Sequence, residues 1–181
     1  MNKPCMMSLA LGIAAVMLGL PAVLVTRKAL EFFRRLYRNA MAGRLLTVID
    51  MLWVGALLLG TFWGGFESYK QLTYIAVPVA IVLICLYVDE LLMPRALGGL
   101  FLLIPAPVLA VFRWEKSPCR YVLIVLAYLL VLAGFALVMN PYVYRKTLEQ
   151  LGKSPLRFRA AGIVMTLFGV ILIGLAIRVF S

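Results

Sequence analysis

The sequence contains no histidine. Imidazole is the side chain that titrates near neutral pH, a common zinc ligand and the most frequent general base. Its absence excludes bis-histidine haem, most zinc sites and every histidine-based mechanism. Acids are nearly as scarce, 7 Asp and Glu against 18 Lys and Arg. Cysteine is limited to Cys5, Cys85 and Cys119, without CxxC spacing. An odd count argues against a complete disulfide framework, and Cys85, inside an apolar run, reads as a small hydrophobe. There is no glycine-rich phosphate loop, no serine nucleophile beside a base, and no paired acidic motif that would hold a metal. No cofactor or metal is therefore expected, and an interfacial lipid-processing enzyme is the weakest of the functional classes.

What the chain has in excess is apolar surface. Of its 181 residues, 65% are hydrophobic, and the mean hydropathy is +1.04. A soluble domain is about 45–50% apolar, because its surface needs polar cover. A chain of this length cannot bury the surplus in a core of its own, so lipid must take it. The net charge of +11 then reads as topology rather than nucleic-acid binding. The cations fall in short stretches between apolar runs, where they meet anionic head groups and fix orientation.

A spanning helix needs about 20 apolar residues. Six segments meet or approach this: 7–26, 45–63, 71–91, 97–113, 120–139 and 160–179. The expected fold is an all-α polytopic bundle in one domain, 1–181. The first apolar run lacks a small-residue cleavage site and reads as an uncleaved helix. The fourth is short and carries Pro105 and Pro107, so it reads as broken or re-entrant. Linker 27–44 holds Arg27, Lys28, Arg34, Arg35, Arg38 and Arg44, and linker 140–159 holds Arg145, Lys146, Lys153, Arg157 and Arg159. Both should be cytoplasmic. Six crossings place them on one side and five would split them. Linker 113–120, with Arg113, Lys116 and Arg120, runs against this scheme.

Three hairpins share an apolar run, a proline near its end, basic residues and a second run. Their marks are Leu20-Pro21 with Arg44, Met93-Pro94-Arg95 before Gly98-Gly99, and Asn140-Pro141 with Arg159 and Gly162. Internal repetition and generic topology both produce such marks. The stretch from Asn140 to Arg178, NPYVYRKTLEQLGKSPLRFRAAGIVMTLFGVILIGLAIR, resembles a family of short bacterial two-helix membrane proteins of unknown function. Segment 18–59 resembles it more loosely. The resemblance implies a bacterial inner membrane and no particular activity.

Within linker 27–44, Ala29, Phe32, Phe33, Leu36, Tyr37 and Ala40 share one helical face. Arg27, Lys28, Glu31, Arg34, Arg35 and Arg38 share the other. This is the pattern of a helix lying in the membrane interface, its cations among anionic lipid head groups. Small residues form stripes elsewhere: Ser8, Gly12, Ala15 and Gly19; Gly162, Thr166 and Gly169; and Gly60 with Gly64. Such stripes let membrane helices approach closely, within this bundle, in a homo-oligomer or against a partner. Trp63, Tyr69, Trp114, Tyr121, Tyr142 and Tyr144 mark helix ends as an aromatic belt.

Ionisable groups within spans are the usual pointers to transport or catalysis. The candidates are Asp50, about 9 Å into the second run counting from Arg44, and Asp89 and Glu90 at the end of the third, near Arg95. None lies at the centre of a span as drawn from hydropathy, which disfavours an ion-coupled carrier. By elimination the chain reads as a non-enzymatic accessory or scaffolding subunit of a membrane assembly. A small-solute transporter or channel is the alternative.

Overall fold

The computed structural model describes residues 3–60, 70–87, 92–117 and 119–178. Every element among them is a helix: α1 (Lys3–Leu24), α2 (Thr26–Arg38), α3 (Ala40–Gly60), α4 (Lys70–Tyr87), α5 (Leu92–Leu103), α6 (Pro105–Phe112), α7 (Arg120–Met139), α8 (Tyr142–Gly152) and α9 (Pro155–Arg178). Five stretches are long and apolar enough to cross a membrane: Pro4–Leu24, Ala40–Gly60, Leu92–Phe112, Arg120–Met139 and Pro155–Arg178. Gln71–Tyr87 is a shorter apolar helix. Among the described residues the chain is thus all-helical, with five stretches long and apolar enough to span a membrane.

Local chemistry explains where the helices break. Asn39 leaves helical geometry (φ −87°, ψ 103°), and its side-chain oxygen accepts hydrogen bonds from the Met41 and Ala42 amides at 3.0 and 3.3 Å. These are two of the amides that a helix start leaves unpaired. The cap starts α3 at Ala40, five residues before the apolar run predicted over 45–63. Pro155 opens α9, as the Ser154-Pro155 pair implies.

The fourth segment, which reads from the sequence as broken or re-entrant yet counts as a crossing, is interrupted into two helices but continues in one direction. The prolines remove two backbone donors, and the ladder is interrupted at Ile104. Yet Ile104 keeps helical dihedrals (φ −55°, ψ −42°), and its amide still donates to Leu100 O at 3.0 Å. α5 and α6 therefore form a single span of 21 residues, the most buried of the five. Its start at Leu92, rather than 97, places Pro94 in the first turn, where a missing N–H is tolerated.

Neighbours in the bundle are not the partners of the three hairpins read from the sequence. α1 lies antiparallel along α9, while α3 packs on α4 and α5, and α5 packs on α7. The largest apolar cluster joins Cys5 of α1, Val108 and Phe112 of α6, Leu123 and Ala127 of α7, and Leu172 and Ala176 of α9. A smaller one, at the opposite end of α1, joins Ala22, Ala29 and Phe158 with Leu30, Phe33 and Leu151. It brings α2 and α8, the two basic linkers, into contact on one side of the bundle.

Candidate functional site in the α3–α5 seam

The small-residue stripes lie where α1 crosses α9. A β-carbon on Gly12 would stand 2.9 Å from Gly169 O, and one on Gly169 would stand 2.8 Å from Gly12 O. One on Gly19 would meet Gly162 O at 2.9 Å and the Thr166 hydroxyl at 2.5 Å. Ser8, fully buried, donates its hydroxyl proton to Leu172 O at 2.9 Å. Thr166 donates to Gly162 O at 2.8 Å, and Ala15 is half-buried on the same helix. This crossing is closely packed, and the Ser8 and Thr166 hydroxyls both have carbonyl partners. Gly60 is different. A β-carbon there meets nothing within 4 Å among the described residues. Its stripe partner Gly64 lies outside the described residues.

A second close crossing was not read from the sequence as packing. A β-carbon on Gly98 of α5 would stand 2.9 Å from Gly134 O of α7, and one on Gly134 would stand 2.7 Å from Gly98 O. On the other side of α5, a β-carbon on Gly43 of α3 would lie 2.9 Å from Met93 N. The spacing signal fails here because each helix contributes single glycines rather than a stripe.

Asp50 lies in this second seam. With α3 beginning at Ala40, the residue falls at the midpoint of the described helix, about 15 Å from Ala40 at 1.5 Å per residue, deeper than the roughly 9 Å counted from Arg44. Asp50 is 4% exposed, and neither carboxylate oxygen has a hydrogen-bond partner among the described residues. Opposite it stands Gly99, whose missing β-carbon would come 3.1 Å from Oδ2. Asp50 faces a cavity of about 420 Å³ that is also lined by Thr47, Met51, Arg95, Gly99, Leu102 and Val138, among others. Thr47 is buried and donates its hydroxyl proton to Gly43 O at 2.9 Å. A second cavity of about 400 Å³ lies between α3 and α4, lined by residues including Leu58, Leu72, Thr73 and Val77. Both cavities are bounded by Met51 and Val54, one turn of α3 on from Asp50. The other two candidate acids, Asp89 and Glu90, lie outside the described residues.

The basic linkers form a separate surface. Arg27, Lys28, Arg35 and Arg44 are exposed, whereas the Arg38 side chain lies outside the described residues. Arg34 is committed elsewhere: its guanidinium sits against Gly152, the last residue of α8. A cation there meets the negative end of that helix's dipole. The apolar face of α2 is also partly used by protein. Ala29, Leu30 and Phe33 pack on α8 and α9, with the Phe33 ring 6.4 Å from that of Phe158. Phe32 remains exposed, and Ala40 belongs to α3. The expected interfacial face is thus divided between neighbour helices and the surface. On α8, Arg145 pairs with Glu149 at 2.7 Å, and burial pushes the Tyr144 phenol above its ordinary pKa.

Between α6 and α7 the discordant cations are held locally. Arg113 stacks over Trp114 at 5.2 Å. Arg120 lies 5.0 Å from the Tyr121 ring and donates to Glu115 O.

Compared with protein-family models, curated proteins and solved structures, the chain matches none.

Proposed function

We propose that the chain is a six-crossing membrane carrier for a small solute, which passes along α3 by way of the two cavities that share Met51 and Val54 as a wall. The observation that carries this reading is Asp50: a carboxylate deep in α3, buried and without a hydrogen-bond partner among the described residues, lining the cavity that shares Met51 and Val54 with its neighbour. A charge in such a place is costly, and membrane proteins keep it where a substrate or ion must be met. Apolar cavities of this size with a few convergent polar groups are the usual form of a ligand site.

The crossing count is supported by the contact between α2 and α8, which suits linkers on one face, and by α4, whose 18 residues extend about 27 Å. The stacking of Arg113 and Arg120 on aromatic rings weakens linker 113–120 as a counter-argument. The exposed cations of α2 and α8 would then face the cytoplasm and anionic head groups, in a bacterial inner membrane if the two-helix resemblance holds. The accessory-subunit expectation rests on elimination; the stripes on α1 and α9, which could have served a partner, pack against each other within the chain.

The test is efflux from proteoliposomes loaded with a mixed panel of small amines, carboxylates and sugars, read by mass spectrometry. One solute class should leave only when the protein is present, and both Asp50→Asn and Met51→Trp should suppress it. A panel retained equally with and without protein would sink the carrier. Cysteine labelling at positions 117 and 154 should report opposite faces; labelling from the same face would remove the six-crossing topology.

A further inference from the structure

We infer that the cavity beside Asp50 takes a small organic monocation, an ammonium with an apolar body, and that Arg95 competes with it for the carboxylate. The inference deepens the carrier reading and rests on it. It follows from which hydrogen-bonding capacity is left over at the α3 wall. Asp50 offers two oxygens with no partner. Thr47 stands one turn earlier on the same face, and its proton is already spent on Gly43 O, so lone pairs are what it has left for a ligand. The acceptors of the α3 wall lie just beneath an apolar cavity surface, where the two Asp50 oxygens are buried, so a ligand must part α3 from Gly99 to reach their negative charge. A carboxylate or phosphate would be repelled there, and a neutral apolar molecule would leave the carboxylate unsatisfied. An ammonium supplies both the charge and the N–H donors.

Room for that head group is made by Gly99, since any side chain there would begin 3.1 Å from Oδ2. The rest of the lining, including Met51, Val54, Leu102, Leu103 and Val138, is apolar and suits a hydrocarbon body. A bare metal cation fits less well, because hard cations call for about six or more oxygen ligands and two side chains provide only three.

Arg95 stands one turn before Gly99 on the same face of α5, is exposed, and lines the same cavity. Its side chain is long enough to reach along that turn toward the carboxylate. It is a counter-charge belonging to the protein, and a bound ammonium must displace it or share the acid with it. Removing the competitor should therefore tighten binding rather than weaken it. That sign separates an ammonium site from an anion site built on Arg95.

The experiment uses the full chain in mild detergent and three probes of matched size: benzylammonium, benzoate and benzyl alcohol, followed by equilibrium dialysis. Benzylammonium should bind saturably, at least tenfold tighter than either other probe. Asp50→Asn should weaken it tenfold or more, Arg95→Gln should tighten it about threefold, and Gly99→Val should abolish it. Asp50→Glu keeps the charge and should retain measurable binding, which guards against reading misfolding as loss. Saturable benzoate binding lost in Arg95→Gln would overturn the ammonium assignment while leaving solute carriage intact. Equal binding of all three probes, or of none, would also overturn it, and the efflux panel would judge the carrier separately.

Discussion

The α1–α9 seam and the α3–α5–α7 seam are built from the same material and reach opposite ends. In both, glycines let helix backbones approach until a single added carbon would touch a facing carbonyl at 2.7 to 2.9 Å. In the first, the buried Ser8 and half-buried Thr166 hydroxyls have carbonyl partners in place. In the second, Asp50 is buried and has no hydrogen-bond partner among the described residues, and a cavity opens beside it. Close packing accounts for the first seam completely. It cannot account for a partnerless charge, which weakens the fold wherever it is kept. On the carrier reading proposed above, one seam holds the bundle together and the other meets the solute.

The comparison is broken most directly by filling the close-packed seam. Gly169→Leu would place its β-carbon 2.8 Å from Gly12 O and 2.9 Å from Val16 N, both backbone atoms that cannot swing away. Overpacking of this kind costs up to about 3 kcal/mol. Unfolding in detergent should show the largest loss of any substitution here, with α1 detached from α9.

In the polar seam the sign should reverse. Asp50→Leu removes the charge and lays an alkyl group into the neighbouring cavity. It should raise the stability of the ligand-free protein by about 2 kcal/mol, within the cost of a central acid in a spanning helix, while abolishing efflux. If Asp50→Leu lowered the melting temperature instead, the carboxylate would have a structural partner and the contrast between the seams would fail.

The close-packed seam was legible because its information is local: Ser8, Gly12, Ala15 and Gly19 lie on one helix at helical spacing. The polar seam was not, because its information is spread across the fold. Placing Asp50 at a helix centre depends on Asn39 capping α3 well before the apolar run begins. Its burial depends on Gly99, from another helix. Gly98 and Gly134 make a crossing as close as that of Gly12 and Gly169, yet neither belongs to a small-residue stripe at helical spacing. Gly98 has only the adjacent Gly99, which faces α3, and Gly134 is the lone glycine of its run. Hydropathy also misjudged the fourth segment, since Pro105 and Pro107 interrupt hydrogen bonds without turning the chain. The amphipathic pattern of α2 was visible, but nothing in that pattern tells lipid from Phe158 as the partner of its apolar face.

A smaller effect sharpens what satisfaction of a buried group is worth. Ser8→Ala removes a hydroxyl and strands one lone pair of the Leu172 carbonyl. That carbonyl sits in a helix, so the loss should be about 1 kcal/mol, in the range for interhelical hydrogen bonds in membranes. The same unfolding assay checks it. A cost near 3 kcal/mol would mean that Ser8, rather than the glycine contacts, holds α1 to α9.

The smallest expected effect distinguishes two glycines on one helix. Gly169 and Gly174 both lie in α9, but a β-carbon on Gly174 would meet nothing within 4 Å among the described residues. Alanine there adds no clash and removes the entropic penalty of glycine within a helix, so Gly174→Ala should stabilise by about 0.5–1 kcal/mol. Gly169→Ala, with its clash against α1, should destabilise. Opposite signs five residues apart would tie the role of each glycine to what it faces. Should Gly174→Ala destabilise instead, with the detergent-solubilised protein changing its oligomeric state, that face of α9 would be packed against a second copy. The small residues of α9 would then serve two interfaces rather than one.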